Sequence, residues 1–383
     1  MKKAYYVDTY SHGILHEMFD ASSLKMFASI YDEVEYFADI TAKEHLVKML
    51  GRMPDNVIYH KIGVPGGNWK IIRFWKQIKA MYNNCYYIIK ASVDTTVIIN
   101  YNTMSAIYLI NWITKLAKKK VLVVCHGEMQ ALCIKQNTSF LFKANKKFFT
   151  SDKTVIAEKL YFAVLGDIIK KNLRLYISKQ IYDKMLCFDH TAIFDTIELP
   201  DNVKSETVLN VGVIGIIRES KGLSKVLELA NNLKKYQDKI KISVVGKVSC
   251  DKQKLQESGI YINEEFGNRF LSRMEMYRLI SQLDIILFLY PKDGYKVTAS
   301  GSLFDAIDCE RPILALRNDY LEYFSSKFGS VGNLVDTYDR LEKEIVELLN
   351  GKKYSVDFKL IKRLLAPDNI AVSLKKQLDY IEL

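Results

Sequence analysis

The sequence predicts an α/β protein made of two Rossmann-like domains facing each other across a cleft, and three observations carry that expectation. Short β-branched or apolar runs alternate with longer amphipathic stretches along the whole chain, which is the pattern of parallel strands covered by helices. The 383 residues exceed one ordinary domain and suit two. An apolar content of 49%, with 26% charged and 12% aromatic residues, supplies two cores and excludes a disordered chain.

Taken in order, strands are expected near 4–7, 34–37, 97–99, 121–125 and 174–177 in the first half, and near 211–217, 240–245, 285–289 and 313–316 in the second. Between the halves, TIELPDNVKSETV at 196–208 has the Pro, Asp, Asn and polar content of a linker. This sets an N-terminal domain at 1–199 and a C-terminal one at 200–365. The last helix, expected from about Asn369 after Ala366 and Pro367, forms a segment 366–383 that returns toward the first domain.

Six cysteines without a CxxC pair read as reduced thiols and argue against structural zinc. The basic start is broken by Asp8, Ser11 and His12 before an apolar signal core forms, so a cytoplasmic protein is expected. The longest apolar run, IILFLYP at 285–291, has the length of a buried strand rather than of a membrane span.

The net charge of +11 is uneven: residues 1–197 hold 27 Lys+Arg against 17 Asp+Glu, whereas 198–383 hold 28 against 27. An anionic partner for the first half follows. Within it, WKIIRFWKQIKAMYNN at 69–84 puts Ile71, Trp75, Ile78 and Tyr82 on one helical face with lysines and Arg73 around the rest, a pattern that suits an anionic membrane surface as well as a sheet. KANKKFFTSDK at 143–153 interleaves lysines with Phe148 and Phe149 and reads as a loop dipping into an interface. No nucleic-acid module is present, so nucleic acid is not an expected partner.

The chemistry concentrates in KVTASGSLFDAIDCERPILAL at 296–316. Ser300, Gly301 and Ser302 are small residues opening a helical pattern, and a helix N-terminus of that kind offers amides, hydroxyls and a positive dipole end to a phosphate. Asp305, one turn in, suits ribose hydroxyls. The alternative is ordinary capping by Ser300, with Asp305 complementing the dipole. A second stretch, VLNVGVIGIIRESKGL at 208–223, is a strand followed by a turn that carries Arg218 and Lys221, two cations placed where parallel sheets bind ligands.

Together these stretches resemble the nucleotide-sugar half of a GT-B fold glycosyltransferase, closest to family 4. Gly215, Lys221 and Gly222 match that family's strand end and Lys-Gly; Asp305, Ala306, Arg311 and Pro312 match the end of its second motif. The family's phosphate Arg falls at Ile216, with Arg218 nearby, and the first Glu of its seven-spaced pair falls at Val297. VLVVCHGE at 121–128 is similar to the strand ending in a donor-contacting His, here His126, and RLYISKQI at 174–181 to the last strand of the first domain. SHG at 11–13 stands where the family has a glycine loop.

The resemblance implies transfer of a sugar from a UDP- or GDP-type donor to a glycan or lipid-linked acceptor, as in capsule or lipopolysaccharide synthesis, with no metal and no other cofactor. In that reading Gly13, Arg218, Lys221, Ser300, Gly301, Ser302 and Asp305 bind the donor, and His12 and Glu128 the acceptor. His126, His16 and Glu17 are the catalytic candidates, and whether configuration is retained or inverted stays open. A nucleotide-sugar epimerase or phosphorylase, or a non-catalytic partner subunit, are the rival readings.

Overall fold

The computed structural model describes residues 1–14, 16–67, 69–104, 106–133, 140–197, 208–249, 251–263, 271–291 and 294–383. Chain contacts divide it into two units: Met1–Thr196 with Lys296–Ala299 and Leu364–Leu383, and Ile197–Tyr295 with Ser300–Arg363. The expected linker at 196–208 and Cys250 lie almost wholly outside the described residues, as does Phe270 at the start of the stretch before Pro291.

The first unit runs β1 (Lys3–Val7), α1 (Glu17–Ala28), β2 (Glu33–Ala38), α2 (Ile40–Leu50), β3 (Val57–Lys61), α3 (Lys70–Lys90), β4 (Thr95–Ile99) and α4 (Ile107–Ala117). It continues through β5 (Lys120–Val124), α5 (Phe140–Thr150), β6 (Leu160–Val164), α6 (Asp167–Leu173), α7 (Lys179–Asp183) and β7 (Met185–Cys187). All seven strands are parallel, in the order β3-β2-β1-β4-β5-β6-β7. The central strands are apolar on both faces because helices cover both; Val97, Ile98, Ile99 and Val121–Val124 are fully buried.

The second unit runs β8 (Leu209–Ile214), α8 (Leu223–Asn232), β9 (Ile240–Val245), α9 (Lys252–Glu257), β10 (Tyr261–Ile262), α10 (Arg273–Ile280) and β11 (Ile285–Phe288). Then come α11 (Gly301–Asp308), β12 (Ile313–Leu316), α12 (Asp319–Phe328), β13 (Gly332–Val335), α13 (Tyr338–Leu349) and α14 (Phe358–Leu364). Its parallel sheet has the order β10-β9-β8-β11-β12-β13 over a core of Val211, Val213, Leu229, Ile242, Leu287 and Leu314. The last helix, α15 (Pro367–Tyr380), packs on α1, with Leu374 and Leu378 buried.

Two expectations need correction. The stretch 174–177 is no strand: it is the turn after α6, and Ser178 opens α7 instead of ending a sheet strand. The sheet positions are taken by β6 and β7, the first a run of five residues with the half-buried Tyr161, the second only three residues long after Lys184. Residues 143–153 are mostly α5, not a dipping loop, and Phe148 and Phe149 are fully buried against Phe162. Spacing them with lysines is what an amphipathic helix with a core face requires.

Helix α3 changes character along its length. Its second half buries Ala80, Asn84, Tyr87 and Ile88, spaced four, seven and eight residues from Ala80, and Asn84 bonds both Thr9 and Thr103. Among the described side chains of its first half, from Ile71 to Lys79, none is fully buried: Ile71, Phe74 and Trp75 are exposed, as is Trp69 just before it.

Candidate functional site

In each sheet the first strand lies between the second and fourth, so β1/β4 and β8/β11 are the switch points at whose carboxyl ends parallel sheets bind ligands. In the first unit the chain leaving β1 is turned by Asp8, whose Oδ1 accepts from the amides of Tyr10 (3.0 Å) and Ser11 (2.9 Å). The Ser11 hydroxyl then donates to Asp20 Oδ2 at 2.6 Å, and Asn100 Nδ2, just past β4, donates to Asp20 Oδ1 at 2.7 Å. Burial, reinforced by the Asp8 charge, raises the Asp20 pKa well above the usual carboxylate range. The network clamps the ends of β1 and β4 to α1.

His126 follows β5 and sits on this clamp. Its Nε2 lies 2.7 Å from the Asn100 carbonyl oxygen. A carbonyl only accepts, so Nε2 carries the proton and Nδ1 is left as an acceptor. Burial, with His16 and His190 adding to it, lowers the His126 pKa to about 3 against the Asn100 bond. A neutral imidazole that resists protonation so strongly is a weak base but a good fixed acceptor for a hydroxyl. Phe19 meets the ring edge-on at 4.6 Å, Tyr101 stacks beside it at 5.5 Å and His16 lies 5.8 Å away.

The other first-unit candidates divide. His16, exposed and left-handed (φ 61°) at the start of α1, joins His126, Tyr10 and Tyr101. Glu17 faces α2, where it pairs with His45 at 3.3 Å. His12 pairs with Asp39 at 3.2 Å, and its ring crowds Gly66, where a Cβ would come within 2.3 Å of Nε2. The Gly13 amide donates to Thr41 Oγ1 at 2.9 Å. Glu128 is buried, and its carboxylate accepts from the His126 amide at 2.9 and 3.1 Å; burial raises its pKa to about 7. It therefore braces the turn that carries His126.

In the second unit β8 is followed by Gly215 (φ 92°), and a Cβ there would lie 3.0 Å from Ser302 Oγ and 3.3 Å from Lys221 Nζ. A hydroxyl and an ammonium thus converge on one bare stretch of backbone. Gly246, past β9, packs so closely that its Cβ would sit 2.2 Å from the Gly215 carbonyl oxygen. Ser300 precedes α11 without capping it by its side chain; its Oγ lies 3.1 Å from the Tyr290 hydroxyl. The Leu303 amide turns back to the Ser300 carbonyl oxygen at 3.1 Å, which leaves the Gly301 and Ser302 amides at the start of α11 to a ligand or water, and the space around Gly301 is open. Arg218 is exposed, without an ion pair or side-chain hydrogen bond among the described residues. Asp305 is approached by Arg273 Nη1 at 3.4 Å, which also donates to Tyr277 at 2.6 Å. Such a corner can neutralise a diphosphate with a cation, a hydroxyl and a helix dipole.

Tyr10, Tyr101, Asp20, Asn100, Tyr290 and Arg273 escaped the sequence reading. Asn100 and Tyr290 do follow apolar runs, NYN after TTVII and YP after IILFL, and a polar residue ending a parallel strand is the signal that marks them. Among the described residues no group of three or more His, Cys, Asp or Glu is placed to hold a metal ion, and no helix is long and apolar enough to cross a membrane.

No protein-family model and no curated protein sequence matches the chain. Solved structures do. The chain is similar to apo OtsA at a TM-score of 0.62 and 9% identity, covering 100% of this chain and 99% of that one. It is similar to Staphylococcus aureus TarM, in complex with fondaparinux, α-GlcNAc-glycerol and UDP, at 0.59 and 12%, covering all of both chains. It is also similar to the apo lipopolysaccharide outer core galactosyltransferase WaaB at 0.56 and 13%, covering 99% of each. With two parallel α/β units and a likeness that runs the length of the molecule, the chain has the GT-B fold.

Proposed function

We propose that the protein is a glycosyltransferase that moves a sugar from a nucleoside diphosphate donor to a glycan or lipid-linked acceptor of the cell surface, without a metal ion. The observation that carries this reading is the convergence of Lys221 Nζ and Ser302 Oγ on Gly215 beside the uncapped start of α11. As the bond from the anomeric carbon to the diphosphate breaks, its electron pair goes to the leaving phosphate oxygen, and those groups oppose the growing charge. The acceptor oxygen bonds to the anomeric carbon, and its proton passes to an oxygen of the departing diphosphate. His126, neutral with Nδ1 as acceptor, orients a hydroxyl. UDP bound to TarM and the lipopolysaccharide acceptor class in the name of WaaB favour a UDP-type donor and a surface glycan.

Turnover with a panel of UDP- and GDP-sugars and lipid-linked acceptors tests the reading. Release of the nucleoside diphosphate together with a glycosylated product supports it; donor binding without turnover favours the non-catalytic reading.

A peripheral contact with an anionic membrane is favoured by a specific observation. The first half of α3 exposes Ile71, Phe74 and Trp75 among Arg73 and Lys79, and α4 exposes Tyr108, Trp112 and Leu116 at successive four-residue steps. Co-sedimentation with phosphatidylglycerol vesicles should fall as salt rises, and again in Trp75→Ser. Binding indifferent to both removes the membrane from the proposal.

A further inference from the structure

The first unit contains a cavity of ≈ 470 Å³ between the outer half of α3, the start of α5 and the residues that follow β1 and β4. One wall is cationic and aromatic, from Arg73, Lys76, Tyr10 and Tyr101; the other is apolar, with Phe74 and Phe142. Lys76 is the informative residue. It is half-buried, its ammonium lies 4.3 Å from the centre of the Tyr10 ring, and among the described residues it has neither an ion pair nor a hydrogen bond. Asp8 and Asp39 act on it only through space, and burial outweighs them, lowering its pKa. Arg73, three residues earlier and so on the same side of the helix, likewise has no ion pair or side-chain hydrogen bond among the described residues. Beyond Lys76 the rings form a column: Tyr10 stacks on Tyr101 at 4.0 Å, and Tyr101 on His126 at 5.5 Å.

A half-buried cation that faces a cavity lined by no carboxylate, with only an aromatic face beside it, favours an anionic ligand there. A phosphate has enough acceptor oxygens to take a guanidinium fork and an ammonium together. The apolar wall includes Phe74, which is also part of the exposed stripe of α3. We propose that this cavity is the acceptor site and binds the phosphate of a sugar acceptor carried on an apolar chain, with Arg73 and Lys76 on the phosphate and the chain running out along α3. The inference rests on the glycosyl-transfer reading, since it names the acceptor class for that reaction.

Calorimetric titration of the full-length protein with geranyl diphosphate, geraniol, inorganic diphosphate and UDP, without vesicles, tests it. Geranyl diphosphate should bind at least about tenfold more tightly than geraniol or inorganic diphosphate, and Arg73→Gln and Lys76→Met should each weaken it about tenfold while leaving UDP binding unchanged. Phe74→Ala, at an exposed position that does not endanger folding, should reduce its advantage over inorganic diphosphate. Equal binding of geraniol, equal binding of inorganic diphosphate, or no binding by the wild type each overturns the proposal. So does a loss in the two charge variants confined to anionic vesicles, which would mark a membrane surface instead. Loss of UDP binding alone would sink the glycosyl-transfer reading and leave the cavity as a site for phosphorylated amphiphiles.

Discussion

The two switch points solve one topological problem with opposite chemistry. At β1/β4 the strand ends are tied by a network of Asp8, Ser11, Asp20 and Asn100, in which Asp8 Oδ2 and Asn100 Oδ1 stay buried without a hydrogen-bond partner, with histidines and tyrosines stacked beside it. At β8/β11 the described polar contacts, Tyr290 with Ser300 and Arg273 with Asp305 and Tyr277, leave Lys221 out: glycines bring the backbone together, and Lys221, Ser302 and the start of α11 stand round the space they leave. The first is preorganised by side chains that already have partners, so it can orient a neutral sugar with little rearrangement. The second keeps its charge uncommitted, which is what an anion-binding corner requires.

Four experiments press on that contrast. Gly246→Ala should have the largest effect, because the added Cβ meets the Gly215 carbonyl oxygen and φ is 140°; a loss of about 3 kcal/mol or more in denaturant unfolding is expected. Lys221→Ala should weaken UDP binding about ten- to a hundredfold by calorimetry, with stability nearly unchanged, whereas His126→Asn should leave UDP affinity as it was.

The third concerns pH. The pKa values of His126 and His190 are lowered to about 3 and about 4, mainly by burial, so the unfolded chain binds protons that the folded one refuses. Stability is then complete above the unfolded value near 6.5 and is lost as pH falls toward 4. Each histidine contributes at most about 1.4 kcal/mol per pH unit; Glu128, raised to about 7, acts in the opposite sense over the same range, so the test is the difference: between pH 8 and 5 the wild type should lose more stability than His126→Asn in thermal melts. Fourth, Ser300→Ala should cost only about 1 kcal/mol, since the hydroxyl bonds Tyr290 and caps nothing; a loss typical of a helix cap would show that Ser300 does cap α11.

The strands were legible where apolar runs were pure, as at 97–99 and 121–125, because a strand buried on both faces leaves no other pattern. β3, β6, β7, β10 and β13 were missed: VIYHK is half-exposed, YI and MLC have two and three residues, and GNLV carries a glycine and an asparagine, while LYFAV at β6 is apolar and was overlooked in favour of 174–177. Phe148 and Phe149 misled because lysines on the solvent face of a short helix look like a basic loop when the partner surface is unknown. Of the residues described at the two switch points, the sequence singles out His126 and Lys221, which follow β5 and β8, but not Asn100 and Tyr290, which follow β4 and β11 in the same way. Nor does it single out Asp20 and Arg273, since each enters its site from a helix on which nothing local sets it apart. The destinations of Glu17 and His12, toward His45 and Asp39, depended on how α1 and α2 pack.

The bond from His126 Nε2 to the Asn100 carbonyl has a further effect. By tethering one ring nitrogen to the main chain it gives the side chain a single polarity: the exposed edge can receive and never give. Whatever meets that edge must bring its own hydrogen, so an alcohol is admitted on favourable terms, while a ketone, an ether or a fluorinated analogue of the same shape meets lone pair against lone pair.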